Sequence, residues 1–494
     1  MRAPRSAAHT APHYARHAPA RTLLYALVDA HYPDFLARLE AEDRALPEYV
    51  HAEFDEYLRC GVLEHGFLRV VCEHCRTERL LAFSCKKRGF CPSCGARRMA
   101  ESARHLVEEV FGPRPVRQWV LSFPYPLRFL FASQPEAIGP VLGLVQRVIA
   151  GWLADQAGVE RAKAQCGAVT LIQRFGSALN LNVHFHMLWL DGVYEVVAAR
   201  SDKPRLRRTR APTSAQLTEL ADKIARRVCR HLVRKGWLEG EDESVFLSDS
   251  AGSDDGMDAL RMSSITYRIA TGRDAGRKVV TLQTLPGDAG SLEGEAGKVG
   301  GFSLHAGVAA EAHESHKLEK LCRYITRPAI SEKRLSISPQ GRVRYQLKTP
   351  WRNGTTHVEW DPVDFIAKLA ALVPPPRAHL TRFHGIFAPN ANLRAQLTPA
   401  HRGKGCRAPS AEVAGSDDRT PAEKRSAMTW AQRLKRVFNI DVTTCTHCGG
   451  SVRIVASIED PNAICAILDH FGRHGALEEA HYRPAPRAPP AAAA

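Results

Sequence analysis

The sequence predicts an α+β fold with a small cysteine-rich metal-binding domain ahead of it. Three observations carry this: a ten-residue run of period two in LNVHFHMLWL, several helical runs of period near 3.6, and six cysteines between Cys60 and Cys94. A chain of 494 residues exceeds what one core supports, since single cores stop growing near ~250 to 300 residues, so two to four domains are expected. Lys and Arg number 68 against 52 Asp and Glu, giving +16 and a pI near 9.4, a balance that suits a polyanion such as nucleic acid. An anionic membrane would also attract it, but no apolar run near the ~18 to 20 residues of a spanning helix is evident, and the amino terminus lacks the apolar core of a signal peptide. A cytoplasmic, nucleoid-associated location is expected. Cysteines with metal-like pair spacing fit thiolate ligands in a reducing compartment better than disulfides.

Residues 1–20, rich in Ala, Pro, Arg and His without apolar period, read as a disordered basic arm. A helical region follows over 21–57, then the cysteine cluster, then GARRMAESARHLVEEVF, a helix ended by Gly112 and Pro113; residues 21–112 form the expected metal-binding domain. From Pro115 the texture becomes strand-like in VRQWVLSF, and a helix over about 135–156 precedes the paired strands VTLIQRF and LNVHFHMLWL. Pro212–Gly236 reads as a basic amphipathic helix and Gly240–Asp258 as an acidic loop or insertion. The main domain runs over 113–390, a linker over 391–428, and a small cysteine module with the short helix WAQRLKRVFNID over 429–480; 481–494 is a tail.

In the strand, Leu181, Val183, Phe185, Met187 and Trp189 share one face, which is core, because side chains alternate across a strand. Asn180, Asn182, His184 and His186 share the other. A His-x-His pair sets two imidazoles about 6 to 7 Å apart along the strand, near enough for one metal ion. Two hydrogen-bonded histidines without a metal would read the same.

Cys72, Cys75, Cys91 and Cys94 follow C-x2-C-x15-C-x2-C, two knuckles that can present four thiolates to one zinc. Four thiolates close the coordination shell, so the expected role is structural. Cys60, His65, His74 and Cys85 are alternative ligands. Lys86, Lys87 and Arg88 lie between the knuckles and Arg97 and Arg98 follow them, a basic surface for DNA. Near the carboxyl end, Cys445 and Cys448 form a single pair, with Cys465, His470 and His474 downstream as completing ligands, and its metal binding is left open.

If the histidines hold a divalent ion and the partner is nucleic acid, phosphodiester cleavage needs a nucleophile. Tyr324 in HKLEKLCRYITRP has the most suggestive context. Leu318, Leu321, Cys322 and Ile325 form the buried helical stripe, while Lys317, Lys320, Tyr324 and Arg327 fall on an adjoining one, where cations hold a phosphate and favour the phenolate. Tyr267 and Tyr345 lie in strand-like runs, less free to reach a phosphate.

These segments resemble a known family. CGVLEHGFLRVVCEHCRTERLLAFSCKKRGFCPSCGARRMAESARHLV, GAVTLIQRFGSALNLNVHFHMLWLDGVY, GFSLHAGVAAE, LCRYITRPAISEKRLS and HLTRFHGIFAPN are similar to insertion-sequence transposases of the IS91 type, over about residues 20 to 475. The resemblance implies an HUH endonuclease: a central antiparallel strand whose histidines, His184 and His186, hold Mg or Mn, covering helices, and a helix-borne Tyr324 that attacks single-stranded DNA at element ends and target. It further implies a 5′-phosphotyrosine with a free 3′-OH, in rolling-circle transposition. Members with two tyrosines space them four apart, but here those positions hold Pro328 and Lys320, so the chain resembles the single-tyrosine branch. Such enzymes recruit a third metal ligand, for which Gln118, Gln173 and His305 stand unranked; Asp191 has the wrong strand parity. A zinc-containing DNA-binding regulator without catalysis, and a water-activating metallohydrolase, are the rival readings, and self-association is left open.

Overall fold

The computed structural model of the chain describes residues 19–196, 204–240, 245–253, 255–283, 296–403, 445 and 448–473. Nearly all of the basic arm, most of the linker, the WAQRLKRVFNID segment and the tail fall outside the described residues. Two units are present.

The larger unit is built on a six-stranded antiparallel sheet, in the order Ala296–Val299, Phe302–Ala310, Val116–Ser122, Leu181–Leu190, Gly167–Phe175, Thr381–Gly385. The histidine strand, Leu181–Leu190, therefore has a partner on each side. Its odd-numbered residues are 0–1% exposed, and Phe185 packs edge-to-face on Phe123 at 4.9 Å between centroids. That face is covered by the helix Ile138–Gln156: Trp152 meets Trp119 edge-on, and the Gln146 amide donates to Thr170 Oγ1 at 3.1 Å. On the opposite face, Leu188 and Leu190 pack in one cluster with Leu318, Leu321, Cys322 and Ile325 of the tyrosine helix, Ser315–Thr326. The buried stripe expected from helical spacing is thus what seats this helix on the histidine face.

The strand ends on an ion pair. Arg117, opposite Trp189 in the neighbouring strand, grips Asp191 with two bonds of 2.8 Å, and both residues are buried. Asp191 is therefore committed to holding the strand end.

Several expectations change in detail. The helical region over 21–57 is two helices, Leu23–Ala41 and Glu48–Arg59. Pro135–Gln156 is long and apolar enough to cross a membrane, unlike the sequence reading, because the turn Pro135–Ala137 runs on into the following helix; 56% of its most apolar window is buried. In the acidic stretch, Asp255 and Asp258 neutralise Arg261, which is 2% exposed. Tyr267 lies in a turn at φ 58 rather than in a strand, whereas Tyr345 is on a strand and fully buried. The basic helix forms over Ser214–Arg234, with Thr213 and Gln216 closing a capping box.

The smaller unit joins segments far apart in the chain. Phe67–Cys72 is the middle strand of a three-stranded antiparallel sheet, paired on one side with Glu78–Ala82 and on the other with Val452–Ile458. Leu63, Phe67 and Ile464 form its core, the last from the helix Pro461–Arg473. The sequence alone places these segments in separate modules, because local patterning marks strands without marking their partners.

Phe185 is fully buried between aromatic rings, so Phe185→Ala is expected to cost about 3 to 5 kcal/mol of unfolding free energy, read from urea unfolding of the full-length protein.

Candidate functional site

His184 and His186 converge more closely than strand rise alone predicts. Their Nε2 atoms are 3.1 Å apart, with ring centroids at 4.8 Å. Two ligands at about 2.1 Å from one ion and at right angles to each other are separated by about 3.0 Å, so the pair fits adjacent positions of an octahedral divalent ion. His184 donates its Nδ1–H to the Asn182 carbonyl at 2.8 Å, which leaves the lone pair on Nε2, the nitrogen that could ligate a metal. Gln118, on Val116–Ser122, places its Nε2 2.7 Å from His186 Nδ1. An amide nitrogen only donates, so in this placement Nδ1 accepts and the His186 proton lies on Nε2, toward His184 Nε2; a metal on His186 Nε2 would need the Gln118 amide turned so that its oxygen faces Nδ1. Burial lowers His184 to about 4 and His186 to about 2, so both rings are neutral at physiological pH, the form that ligates metals.

Of the other residues weighed as ligands, Gln173 directly opposes His184 on the neighbouring strand, and its amide donates to the Ile325 carbonyl at 3.1 Å. This bond ties the sheet to the tyrosine helix. His305 is on the same face but two strands from His186.

The Tyr324 ring stands perpendicular to His186 at 6.3 Å between centroids and is 40% exposed, in the last turn of a helix whose other face is buried. Arg327 and Lys348 each stack a cation 4.2 Å from the Tyr324 ring centroid. Lys348, just beyond the strand Val343–Gln346, was not found by sequence reading, since nothing in its local context links it to a helix 24 residues earlier. Lys317 instead pairs with Glu314 at 3.1 Å, and Lys320 is exposed on the same helix. The helix holds no second tyrosine, and buried Tyr345 accepts from Ser331 N rather than facing the histidines.

Among the cations read as a DNA surface, Lys87, Arg88, Arg98 and Arg327 line one cleft of ≈ 320 Å³. Arg97 is half-buried on the helix Pro92–His105, and Lys86 has φ 56 in the smaller unit.

In the smaller unit, Cys72, Cys75, Cys445 and Cys448 bring their sulfurs within 4.8 Å of one another. Sulfur separations of 3.5 Å for Cys72–Cys448 and 3.6 Å for Cys75–Cys445 fit the roughly 3.8 Å of a tetrahedral zinc with ~2.3 Å bonds. The strand register produces this quartet: Cys72 faces Val452, and Glu73 N donates to the Ser451 carbonyl. Gly449 takes φ 72, and a Cβ on Gly450 would lie 3.2 Å and 3.3 Å from the sulfurs of Cys72 and Cys448. The Thr77 hydroxyl and amide hold the Cys75 thiol down to about 6, toward the thiolate that zinc requires.

The expected grouping of Cys72 and Cys75 with Cys91 and Cys94 is thereby corrected, because the carboxyl-terminal pair completes the tetrahedron by strand pairing. Cys91 and Cys94 are both buried at the start of the helix Pro92–His105 in the larger unit. His65, His74, Cys465 and His470 are exposed and outside this quartet; Cys60, also outside it, is buried; His474 lies outside the described residues.

Two family models match the chain. One, described as "Putative transposase", covers residues 167–394, and the other, "Transposase zinc-binding domain", covers residues 27–123. The first spans the histidine strand and the tyrosine helix. No curated protein and no solved structure matches.

The quartet predicts that Cys448→Ser and Cys72→Ser each lower the zinc content of purified protein by one equivalent, measured by plasma mass spectrometry. Loss in the amino-terminal variant alone would remove the carboxyl-terminal pair from the ligand set.

Proposed function

Because the chain belongs to the IS91-type insertion-sequence transposases, with an amino-terminal zinc-binding region and DNA as its partner, we propose that it cleaves and rejoins single-stranded DNA through Tyr324 in rolling-circle transposition. The observation that carries this reading is the converged His184–His186 pair with the Tyr324 ring standing over it. A tyrosine exposed beside two neutral, oriented imidazoles has the parts that metal-assisted phosphoryl transfer needs.

In this reading His184 and His186 hold Mg or Mn through Nε2. When bound, that ion supplies a Lewis acid against the scissile phosphate. Tyr324 Oη loses its proton and bonds to phosphorus, while the bond from phosphorus to the 3′ oxygen breaks. That oxygen takes a proton and leaves as a 3′-OH. The 5′ phosphate stays on the tyrosine, and attack by another 3′-OH reverses the step and joins the strands. Arg327 and Lys348 hold the ring and set positive charge beside the phosphate it would attack. One helix-borne tyrosine implies that the strands are handled one covalent attachment at a time.

The zinc of the smaller unit is structural in this reading, held by Cys72, Cys75, Cys445 and Cys448, with Cys91 and Cys94 serving a second ion. Lys317 and Lys320 extend the cationic surface of the tyrosine helix. The protein acts in the cytoplasm on nucleoid DNA.

The test is incubation of full-length protein and Mn with labelled single-stranded DNA carrying an element end, followed by denaturing gel electrophoresis. A protein–DNA adduct absent in Tyr324→Phe and His184→Ala is expected. Cleavage that persists in Tyr324→Phe would make the protein a hydrolase, and binding without cleavage would make it a regulator. Gln118→Leu, which leaves His186 Nδ1 without its partner, is expected to lower adduct yield about 10 to 100-fold with DNA binding unchanged.

A further inference from the structure

Three aromatic side chains outside the proposed chemistry come from separate stretches of chain to the start of the histidine strand. Ser122 opposes His184 on the neighbouring strand, and the helix Tyr125–Ser133 begins three residues later. Ser264, in the last turn of the helix Asp258–Ile265, accepts from the amide of Leu181 at 2.9 Å, so Tyr267 leaves that helix beside the first residue of the same strand. Trp351 meets the Tyr267 ring edge-on at 5.5 Å between centroids. Three residues before Trp351, a reach of at most about 11 Å, Lys348 stacks on the Tyr324 ring.

Packing alone does not account for these rings. The Arg128 guanidinium lies 4.8 Å from the Tyr125 ring centroid, fixed by its Nε donating to the Phe123 carbonyl at 2.6 Å, yet Tyr125 is 47% exposed. Arg128 also acts electrostatically on Tyr267, and its charge adds to the larger influence of burial in holding His184 neutral, which ties this cluster to the histidine pair. Tyr267 takes φ 58, a left-handed conformation that an aromatic residue keeps only where its surroundings impose it. Its carbonyl accepts from Val279 N at 2.9 Å. Trp351 is half-buried and held in a turn, with its amide on the Thr355 carbonyl and its carbonyl on Gly354 N, both at 2.9 Å.

Rings held by their backbones, with a cation among them, match nucleobases, since every base has a flat face that stacks whatever its sequence. We propose that Tyr125, Tyr267 and Trp351 form a stacking platform for bases of the single-stranded DNA that leads to the His184–His186 pair, with Tyr125 as its most open ring. The inference deepens the function proposed above and rests on single-stranded DNA being the substrate.

The test uses full-length protein without added Mg or Mn. Fluorescence anisotropy compares a labelled twenty-residue oligothymidylate with an abasic strand of the same length. Tyr125→Ala is expected to lower the preference for the strand with bases roughly 5- to 100-fold, the effect of losing one stacked base. Tyr125→Phe, which keeps the ring, retains the preference. The slope of log K against log salt stays at the wild-type value in both, because a stacked base displaces no counter-ion. A wild-type preference in Tyr125→Ala overturns the proposal, as does equal weakening on both strands. Loss of preference with a lowered thermal midpoint is the signature of a structural role and overturns it too. Preference lost in Tyr125→Ala of a protein that forms no tyrosine adduct would sink the proposed chemistry and leave the platform standing; adduct formation by a Tyr125→Ala protein of unchanged preference would do the reverse.

Discussion

Two imidazoles whose nitrogens lie 3.1 Å apart within a buried sheet face cannot both be charged, and burial in the larger unit disfavours a charge on either. Water is excluded by Leu188 and Leu190 below the pair and by the tyrosine helix packed on them. The same burial brings the two Nε2 atoms to one point. Each ring then needs a partner on its far nitrogen, and each has one: the Asn182 carbonyl for His184 and the Gln118 amide for His186. Removing the antiparallel neighbours would dissolve the pair, since Gln118 comes from one adjacent strand and the Gln173 tie to the tyrosine helix from the other.

The proposed nucleophile is placed by different physics. Tyr324 is not buried, and its position is set by the helix stripe beneath it and by two cations against its ring. A rigid, desolvated ligand pair thus faces a side chain that keeps access to solvent and to a long polymeric substrate. Sheet supplies the fixed half of the site and helix the approachable half.

What the sequence disclosed follows from how far each signal reaches. Period two in LNVHFHMLWL separated the core residues from the histidines because parity is a property of the strand alone. The stripe of Leu318, Leu321, Cys322 and Ile325 was legible for the same reason at period 3.6. Lys348 and the Cys445–Cys448 pair were hidden by distance, since knuckle spacing reports which two thiols share a turn and not which turn they will meet. The resemblance to a family located the histidines and the tyrosine but said nothing of Gln118's place behind His186.

Cys72 and Cys448 are 376 residues apart in the chain. At ~5 to 20 residues per second, synthesis of the intervening chain occupies on the order of half a minute, during which Cys72 and Cys75 are already made while their partners are not. The first hairpin has an open edge and an incomplete coordination sphere throughout that interval. Closure of the smaller unit therefore reports that the ribosome has passed the whole larger unit, and a message cut short within it yields a chain whose first knuckle never acquires its second.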